Sequence, residues 1–202
     1  MSELVPFDVG DADASPFVQF ERWFDEARGS ARDLDAVALA TASASGQPSL
    51  RMVLLRRRDA RGYGFFTNYD SHKAHDLAEN PRAAILWFNE AHGRQVRIEG
   101  TVAKMEAAES DEYFAARPRA HQIGAIASRQ SSVLGSRGEL EARVIELTAR
   151  YEGVEIARPA NWGGYRLTPT RFEFWQMRED RLHDRVVYDP AGGAWTTVRY
   201  CP

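Results

Sequence analysis

The spacing of polar and apolar positions changes several times along the chain, and each change marks an element. Residues 1–14 carry Asp8, Asp11 and Asp13 without periodicity, which predicts a mobile arm. Ser15 and Pro16 open a helix as cap and first-turn proline. Phe17, Phe20, Phe24 and Ala27 then recur at helical spacing up to Gly29, an aromatic stripe that predicts core. Ala36–Thr41 reads as a strand of small residues, turned back by Ser45-Gly46-Gln47-Pro48. The apolar run Met52-Val53-Leu54-Leu55 and the β-rich run Tyr63–Thr67 flank an Asp59-Ala60-Arg61-Gly62 turn, so two antiparallel strands are expected there.

A helix over Ser71–Glu79 follows and breaks at Asn80-Pro81. Ala83–Phe88 lacks alternation, which predicts a strand buried on both faces, whereas Arg94–Met105 alternates. Ala107–Ala116 is helical up to Arg117-Pro118-Arg119, and Ser128–Ser132 is a polar loop. Glu139–Tyr151 is an amphipathic helix with Leu140, Val144, Leu147 and Tyr151 as its buried stripe. After a loop over Pro159–Gly164, strands are expected at Tyr165–Thr168, Arg171–Met177 and Leu182–Tyr188, with a fourth at Ala194–Tyr200. Strands grouped in the middle and at the end, with helices between, predict an α+β protein. Its expected core is an antiparallel sheet or barrel, one domain over 15–202.

Composition adds limits. A hydrophobic fraction of 44% and a charged fraction of 27% over 202 residues are ordinary for a globular chain with a substantial core. The net charge of −3 argues against nucleic acid as main partner. No apolar run approaches membrane-spanning length and no signal-peptide pattern opens the chain. Cys201, the only cysteine, has no internal partner, which points to a reducing cytoplasm. There is no glycine-rich phosphate loop, GxGxxG or GxSxG. His72 and His75 stand three apart on a helix without a third ligand, so no metal site is expected.

Positive charge is concentrated in three places. Arg51 and Arg56–Arg58 bracket the first apolar run, and His72 and Lys73 fall on the first turn of the following helix, whose free N–H groups suit an anion. Tyr113 and Arg117, four apart, present a phenol and a guanidinium on one helix face, a second phosphate clamp. Arg181, His183 and Arg185 alternate along an expected strand. That row is costly to bury without an anion, and Trp175 on the partner strand stacks beside the same ligand. Gln95, on a polar strand face, suits hydrogen bonding to a heteroaromatic ring.

These pieces occur as ordered motifs: RMVLL (51–55), FFTN (65–68), SHKA (71–74), RQVRIEG (94–100) and YFAARPR (113–119). QIGA (122–125), RQSS (129–132), WGGY (162–165), EFWQ (173–176) and RLHDR (181–185) continue the series. From about Phe17 onward the chain resembles the pyridoxine/pyridoxamine 5′-phosphate oxidases. The resemblance implies an antiparallel split β-barrel with peripheral helices, and a homodimer holding FMN at the subunit interface. It also implies oxidation of a phosphorylated B6 vitamer to pyridoxal 5′-phosphate, with dioxygen reduced to hydrogen peroxide.

Carried over by position, the FMN contacts fall on Arg51, Met52, Val53, Leu54, Leu55, Phe66, Thr67, His72 and Lys73, then on Gln95, Gln130, Ser131, Trp175 and Arg185. Arg56, Tyr113, Arg117 and His121 would meet the substrate phosphate; Arg181, Leu182 and His183 would meet its ring, with Arg181 and His183 as the catalytic pair. Departures from the family pattern are Arg56 for lysine, Phe66 for tyrosine, His72 for arginine and His121 for serine. Met177 and Arg178 also stand where glycines are usual. Two other functions fit the same motifs: a flavin oxidase of the phenazine-pathway type, or a low-turnover FMN or pyridoxal-phosphate binding protein.

Overall fold

The computed structural model describes residues 5–202. Its frame is one nine-stranded antiparallel sheet. The strands are β1 (Ala36–Ala42), β2 (Pro48–Leu54), β3 (Arg57–Asp59), β4 (Gly62–Asn68), β5 (Arg82–Asn89), β6 (Arg94–Lys104), β7 (Trp162–Gln176), β8 (Asp184–Ala191) and β9 (Ala194–Arg199). The order runs β2-β1-β5-β6-β7-β4-β3, and β8 also pairs with β7 and carries β9. Thus β7 has three partners: β6 along both its halves, β4 along Trp162–Leu167 and β8 along Phe172–Gln176. A sheet that forks in this way curls, and the result is a split barrel.

The expected strands Tyr165–Thr168 and Arg171–Met177 are the two limbs of β7. Between them the register to β6 shifts at Glu99/Gly100, opposite Pro169 and Arg171. Proline lacks the N–H a regular ladder needs, so it sits at the bulge and the strand bends there without ending. The expected pairing of Met52–Leu55 with Tyr63–Thr67 is not found: β2 pairs with β1, and the partner of β4 is the short β3. The chain changes partner between two residues. Leu55 N–H donates to Asp35 O (2.9 Å), and Arg56 N–H donates to Gly64 O (2.8 Å).

Among the described residues five α-helices surround this sheet: α1 (Pro16–Glu26), α2 (His72–Glu79), α3 (Ala107–Ala115), α4 (Arg119–Ala127) and α5 (Arg137–Arg150). The α1 stripe is core as expected, with Phe20, Trp23 and Phe24 buried. Phe20 meets Tyr63 (5.3 Å between ring centres) and Trp87 (5.7 Å) edge-on. Helix α4 has no counterpart in the sequence reading. The α5 stripe is half-buried, packing Val144, Leu147 and Tyr151 on a second cluster around Phe114, Ile123, Ile156 and Trp162.

β5 departs from the expectation of burial on both faces. Ile85 and Trp87 point into the core, whereas Phe88 is 51% exposed on the opposite side. That outer face also carries exposed Leu50 and Met52 of β2 and the half-buried Ala38, Ala40 and Ala84. Of the arm expected over 1–14, Met1–Leu4 lie outside the described residues. Phe7 is buried, 4.9 Å from the Trp23 ring, and its N–H donates to Asp184 Oδ2.

Phe20→Ala should lower stability by about 3–5 kcal/mol, because the side chain is fully buried between three aromatic rings. Equilibrium denaturant unfolding checks this; a loss below about 1 kcal/mol would mean the α1–sheet contact is not a main source of stability.

Candidate functional site

The N-terminal turn of α2 lies beside β1, β2 and the loop after α4, and it brings one cation into an enclosed position. Lys73 Nζ donates to Thr67 Oγ1 (3.0 Å), Ser71 Oγ (3.2 Å) and Gln130 Oε1 (2.7 Å). All three acceptors are neutral, and among the described residues Lys73 makes no ion pair. Burial, with the nearby Arg51 charge adding to it, lowers the Lys73 pKa to about 8. Arg51 is half-buried and bound internally, donating to Leu39 O, Thr41 Oγ1, Ser49 O and Ser49 Oγ. Burial pulls its guanidinium below the ordinary value, which Asp76 partly opposes. Asp76 accepts from Thr41 Oγ1 (2.6 Å) and lies 3.6 Å from His72 Nε2. The His72 N–H donates to Ser131 Oγ (3.2 Å), so the loop carrying Gln130 and Ser131 rests on the start of α2. Ser131 holds this position with φ 71°.

Two adjoining hollows, of about 380 and 190 Å3, open next to Lys73. Met52, Val53, Leu54, Arg56, Lys73 and Tyr113 line the smaller, His121 lines the larger, and Phe66, Thr67, Arg117, Gln130 and Trp162 are common to both. Phe66 stacks on Tyr113 (3.9 Å) and on Trp162 (5.6 Å), forming an aromatic wall. Glycines are required behind it: a Cβ on Gly164 would stand 2.9 Å from Phe66 Cε1, and one on Gly163 2.1 Å from the Tyr69 hydroxyl. Arg117 lies 4.7 Å over the Trp162 ring, and its buried Nη1 has no hydrogen-bond partner among the described residues. Burial lowers the Arg117 pKa; Tyr113 opposes this and Arg56 adds to it. Arg56 is tied to Asp35 at 3.0 Å. The hollow therefore holds one unpartnered guanidinium nitrogen and one ammonium on neutral oxygens, an arrangement that suits anionic oxygens.

A second group lies elsewhere on the sheet. Phe88, Gln95, Trp175 and Arg185 form one cross-strand row over β5–β8. His183 packs its ring 4.5 Å from that of Trp175. None of Gln95, Trp175, Arg181, His183 and Arg185 lines either hollow. The expected alternation of Arg181, His183 and Arg185 on a strand is not found, because β8 begins at Asp184. Arg181 ends a 3-10 turn, Glu179–Arg181, with φ 62°; it and Leu182 are exposed. Arg185 is committed inward, its Nε donating to Glu173 Oε1 (2.7 Å) and Nη1 to Cys201 O (2.8 Å). Leu55 also departs from the expected group, since its side chain is in the core.

Asp76 was not singled out from the sequence, and Glu173 and Trp162 stood in the EFWQ and WGGY motifs without an assigned role, yet each supports one of the two groups. Glu173 is 4% exposed and binds both Arg97 (2.5 Å) and Arg185. A carboxylate alternating with Phe172 and Phe174 was a usable signal, as was Asp76 four residues beyond His72 on a helix.

Comparison with known proteins agrees with the fold. The family profile described as pyridoxamine 5′-phosphate oxidase matches residues 24–151. A second, described as the pyridoxine 5′-phosphate oxidase C-terminal dimerisation region, matches 162–202. A pyridoxine/pyridoxamine 5′-phosphate oxidase of Bordetella petrii is 54% identical over 193 residues, covering 95% of this chain and 91% of that protein. The solved structure of PhzG from Burkholderia lata, in complex with tetrahydrophenazine-1-carboxylic acid, has a TM-score of 0.92 at 34% identity, covering 98% of each chain. A pyridoxamine 5′-phosphate oxidase-related, FMN-binding protein of Nostoc punctiforme has the same fold, with a TM-score of 0.75 at 16% identity over 95% of this chain and all of that one.

Lys73 makes two pH effects predictable. The unfolded chain holds its lysine proton up to about 10.5 and the folded chain only up to about 8, so stability should rise with pH between these values. Affinity for inorganic phosphate should fall as pH rises through about 8, because the ammonium discharges. Lys73→Met should abolish that pH dependence and weaken phosphate binding about tenfold, the worth of a charged hydrogen bond. Calorimetric titration across this range checks both; a flat profile for the parent would mean Lys73 does not meet the anion.

Proposed function

The chain belongs to the pyridoxamine 5′-phosphate oxidase family, and from that premise we propose that it oxidises pyridoxamine 5′-phosphate and pyridoxine 5′-phosphate to pyridoxal 5′-phosphate with FMN and dioxygen. The observation that carries this reading is the pairing of the Lys73 ammonium with the unpartnered Arg117 Nη1 around one aromatic-walled hollow. Two cationic donors without counter-ions among the described residues fit two phosphate-bearing ligands, a nucleotide and a phosphorylated substrate.

In this reading FMN is held by the backbone and side chains of Arg51–Leu55, by Phe66, Thr67, His72, Lys73, Gln130 and Ser131, and by Gln95, Trp175 and Arg185. The chemistry FMN supplies when bound is two-electron acceptance from the substrate carbon and return of those electrons to dioxygen as hydrogen peroxide. Arg56, Tyr113, Arg117 and His121 bind the substrate phosphate. Arg181 covers the ring, Leu182 shields it, and His183 hydrogen-bonds a ring substituent, so the reacting carbon is held in one orientation.

A homodimer is part of the proposal. The phosphate-side and ring-side groups do not share a hollow within one chain, and the ring-side group lies largely in the segment matching the dimerisation region. The apolar outer face of β2, β1 and β5 offers the surface for a second copy, whose ring-side residues would complete the first copy's hollow. Residues 15–202 form the single FMN-binding domain of this reading, with 1–14 as its arm. No helix among the described residues is long and apolar enough to cross a membrane, and the cytoplasm is the proposed compartment.

The likeness to the PhzG complex supports a second reading, an oxidase of an unphosphorylated ring. Arg117 and Arg56 converging on one hollow favour the phosphorylated substrate. Adding pyridoxamine 5′-phosphate to the purified holoenzyme should release hydrogen peroxide, and unphosphorylated pyridoxine should release far less. Arg117→Ala should raise KM for pyridoxine 5′-phosphate about tenfold or more, since the site is built for a charged partner. Equal activity on both substrates would exclude the phosphate assignment. FMN binding without peroxide release would leave a binding protein instead.

A further inference from the structure

The segment between β7 and β8 carries more constraint than a hairpin connection needs. Met177 N–H donates to Gly93 O (2.7 Å), which fixes the end of β7 on the start of β6. Asp180 and Arg181 then stand consecutively in the left-handed region, with φ 54° and φ 62°. Neither is glycine, so the turn holds a conformation disfavoured for side-chain-bearing residues, which persists only where surrounding contacts determine it. Leu182 N–H closes the turn on Glu179 O (3.1 Å), and the Arg178 side chain reaches Asp184 Oδ2 at 3.6 Å.

The product of this geometry is one side chain–backbone contact. Arg178 N–H donates to His183 Nδ1 at 3.2 Å. A backbone amide has a hydrogen to give and no lone pair to offer, so the nitrogen facing it must be an acceptor. The imidazole also packs against Trp175, with ring centres 4.5 Å apart and the planes tilted by 47°, so a second contact restrains the ring.

We infer that the Arg178 amide sets His183 in the Nε2–H tautomer, so that His183 serves the reaction as a hydrogen-bond donor through Nε2 to an acceptor on the substrate ring. The inference rests on the proposed function for the identity of that acceptor, but not for the tautomer. In this tautomer Nδ1 is spent on the protein and only one ring nitrogen is presented outward. His183 then orients the substrate by donating, and no proton is taken up at Nδ1 during turnover. The left-handed turn is the positioning device: it brings the amide of residue 178 back over the side chain of residue 183.

Two measurements test this on the FMN-loaded full chain. Two-bond 1H–15N correlation spectra of protein labelled with 15N-histidine, with His183 assigned by its loss in His183→Gln, report the tautomer directly. The expected pattern is one protonated nitrogen at Nε2 and one bare nitrogen at Nδ1; the reverse pattern overturns the inference whatever the activity. The second measurement separates the two nitrogens chemically. A glutamine carboxamide nitrogen reaches the place of Nε2, whereas that of asparagine reaches only the place of Nδ1. Both variants should raise KM for pyridoxine 5′-phosphate, but His183→Asn about tenfold or more above His183→Gln, because only glutamine restores a donor at the place of Nε2. Asparagine matching or exceeding glutamine, or equal loss in both, overturns the donor role. If the parent itself releases no peroxide with either B6 phosphate, the proposed function fails, and the spectra still decide the tautomer.

Discussion

The three-way pairing of β7 is the constraint on which the other parts of the molecule depend. One fifteen-residue strand hydrogen-bonds to β6, β4 and β8, and both groups of candidate site residues hang from its ends. Its first limb carries Trp162, Gly163 and Gly164, which set the aromatic wall of the hollow. Its second limb carries Glu173 and Trp175, which hold Arg185 and His183. The bulge at Pro169 is what allows a single strand to do both, because it bends the strand without releasing its partners. A substitution that straightened this bend would move the two groups relative to each other while leaving each intact.

Electrostatics oppose stability in the same region. Elsewhere the arginines are largely paired, as Arg166 is with Asp59 and Glu109, Arg58 with Glu21 and Asp35, and Arg94 with Glu26. Around the hollow the pattern changes: Lys73 has only neutral acceptors and Arg117 keeps a buried nitrogen unpartnered. Burying charge without a counter-ion is unfavourable, and the depressed pKa of Lys73 is the measure of that cost. A bound anion reverses the sign of the effect, returning the lysine toward its ordinary value and stabilising the fold by mass action. Binding and stability are therefore coupled through the same two side chains.

Much of the fold was legible because amphipathic periodicity is local. The α1 stripe, the alternation of β6 and the turn at Asp59–Gly62 all appear in the structure where the pattern puts them. What failed was partner choice, which is not local. The run Met52–Leu55 has the composition of a hairpin strand, but its ladder is with β1, and the switch at Leu55 and Arg56 depends on carbonyls at Asp35 and Gly64. Helix α4 escaped because Pro118 caps it without a side-chain acceptor, and Arg117-Pro118-Arg119 reads as the end of the preceding helix. The ring-side alternation failed for a different reason. Asp180 and Arg181 adopt left-handed angles with no glycine to announce them, so the strand starts later than its sequence suggests. The motifs did not indicate that the phosphate-side and ring-side residues would fall in two separate groups within one chain, or that Arg51 and Arg185 would be occupied by protein partners.

Those occupied arginines bear on how the site achieves order. A free guanidinium on a sheet edge samples many rotamers, and ordering it on ligand binding has an entropic cost. Glu173 and the Cys201 carbonyl hold Arg185 through Nε and Nη1, leaving Nη2 as its remaining donor nitrogen. Ser49, Thr41 and the Leu39 carbonyl do the same for Arg51, with Asp76 close behind. His183 is treated alike, with a backbone amide as its holder in place of a carboxylate. The common device is to spend part of each polar side chain on the protein so that the remainder points one way. Orientation is thereby set by contacts within the folded chain. Polar side chains arranged in this way depend on their supporting residues as much as on themselves, which is why Asp76 beside Arg51 and Glu173 beside Arg185 belong to the physical description of the two groups.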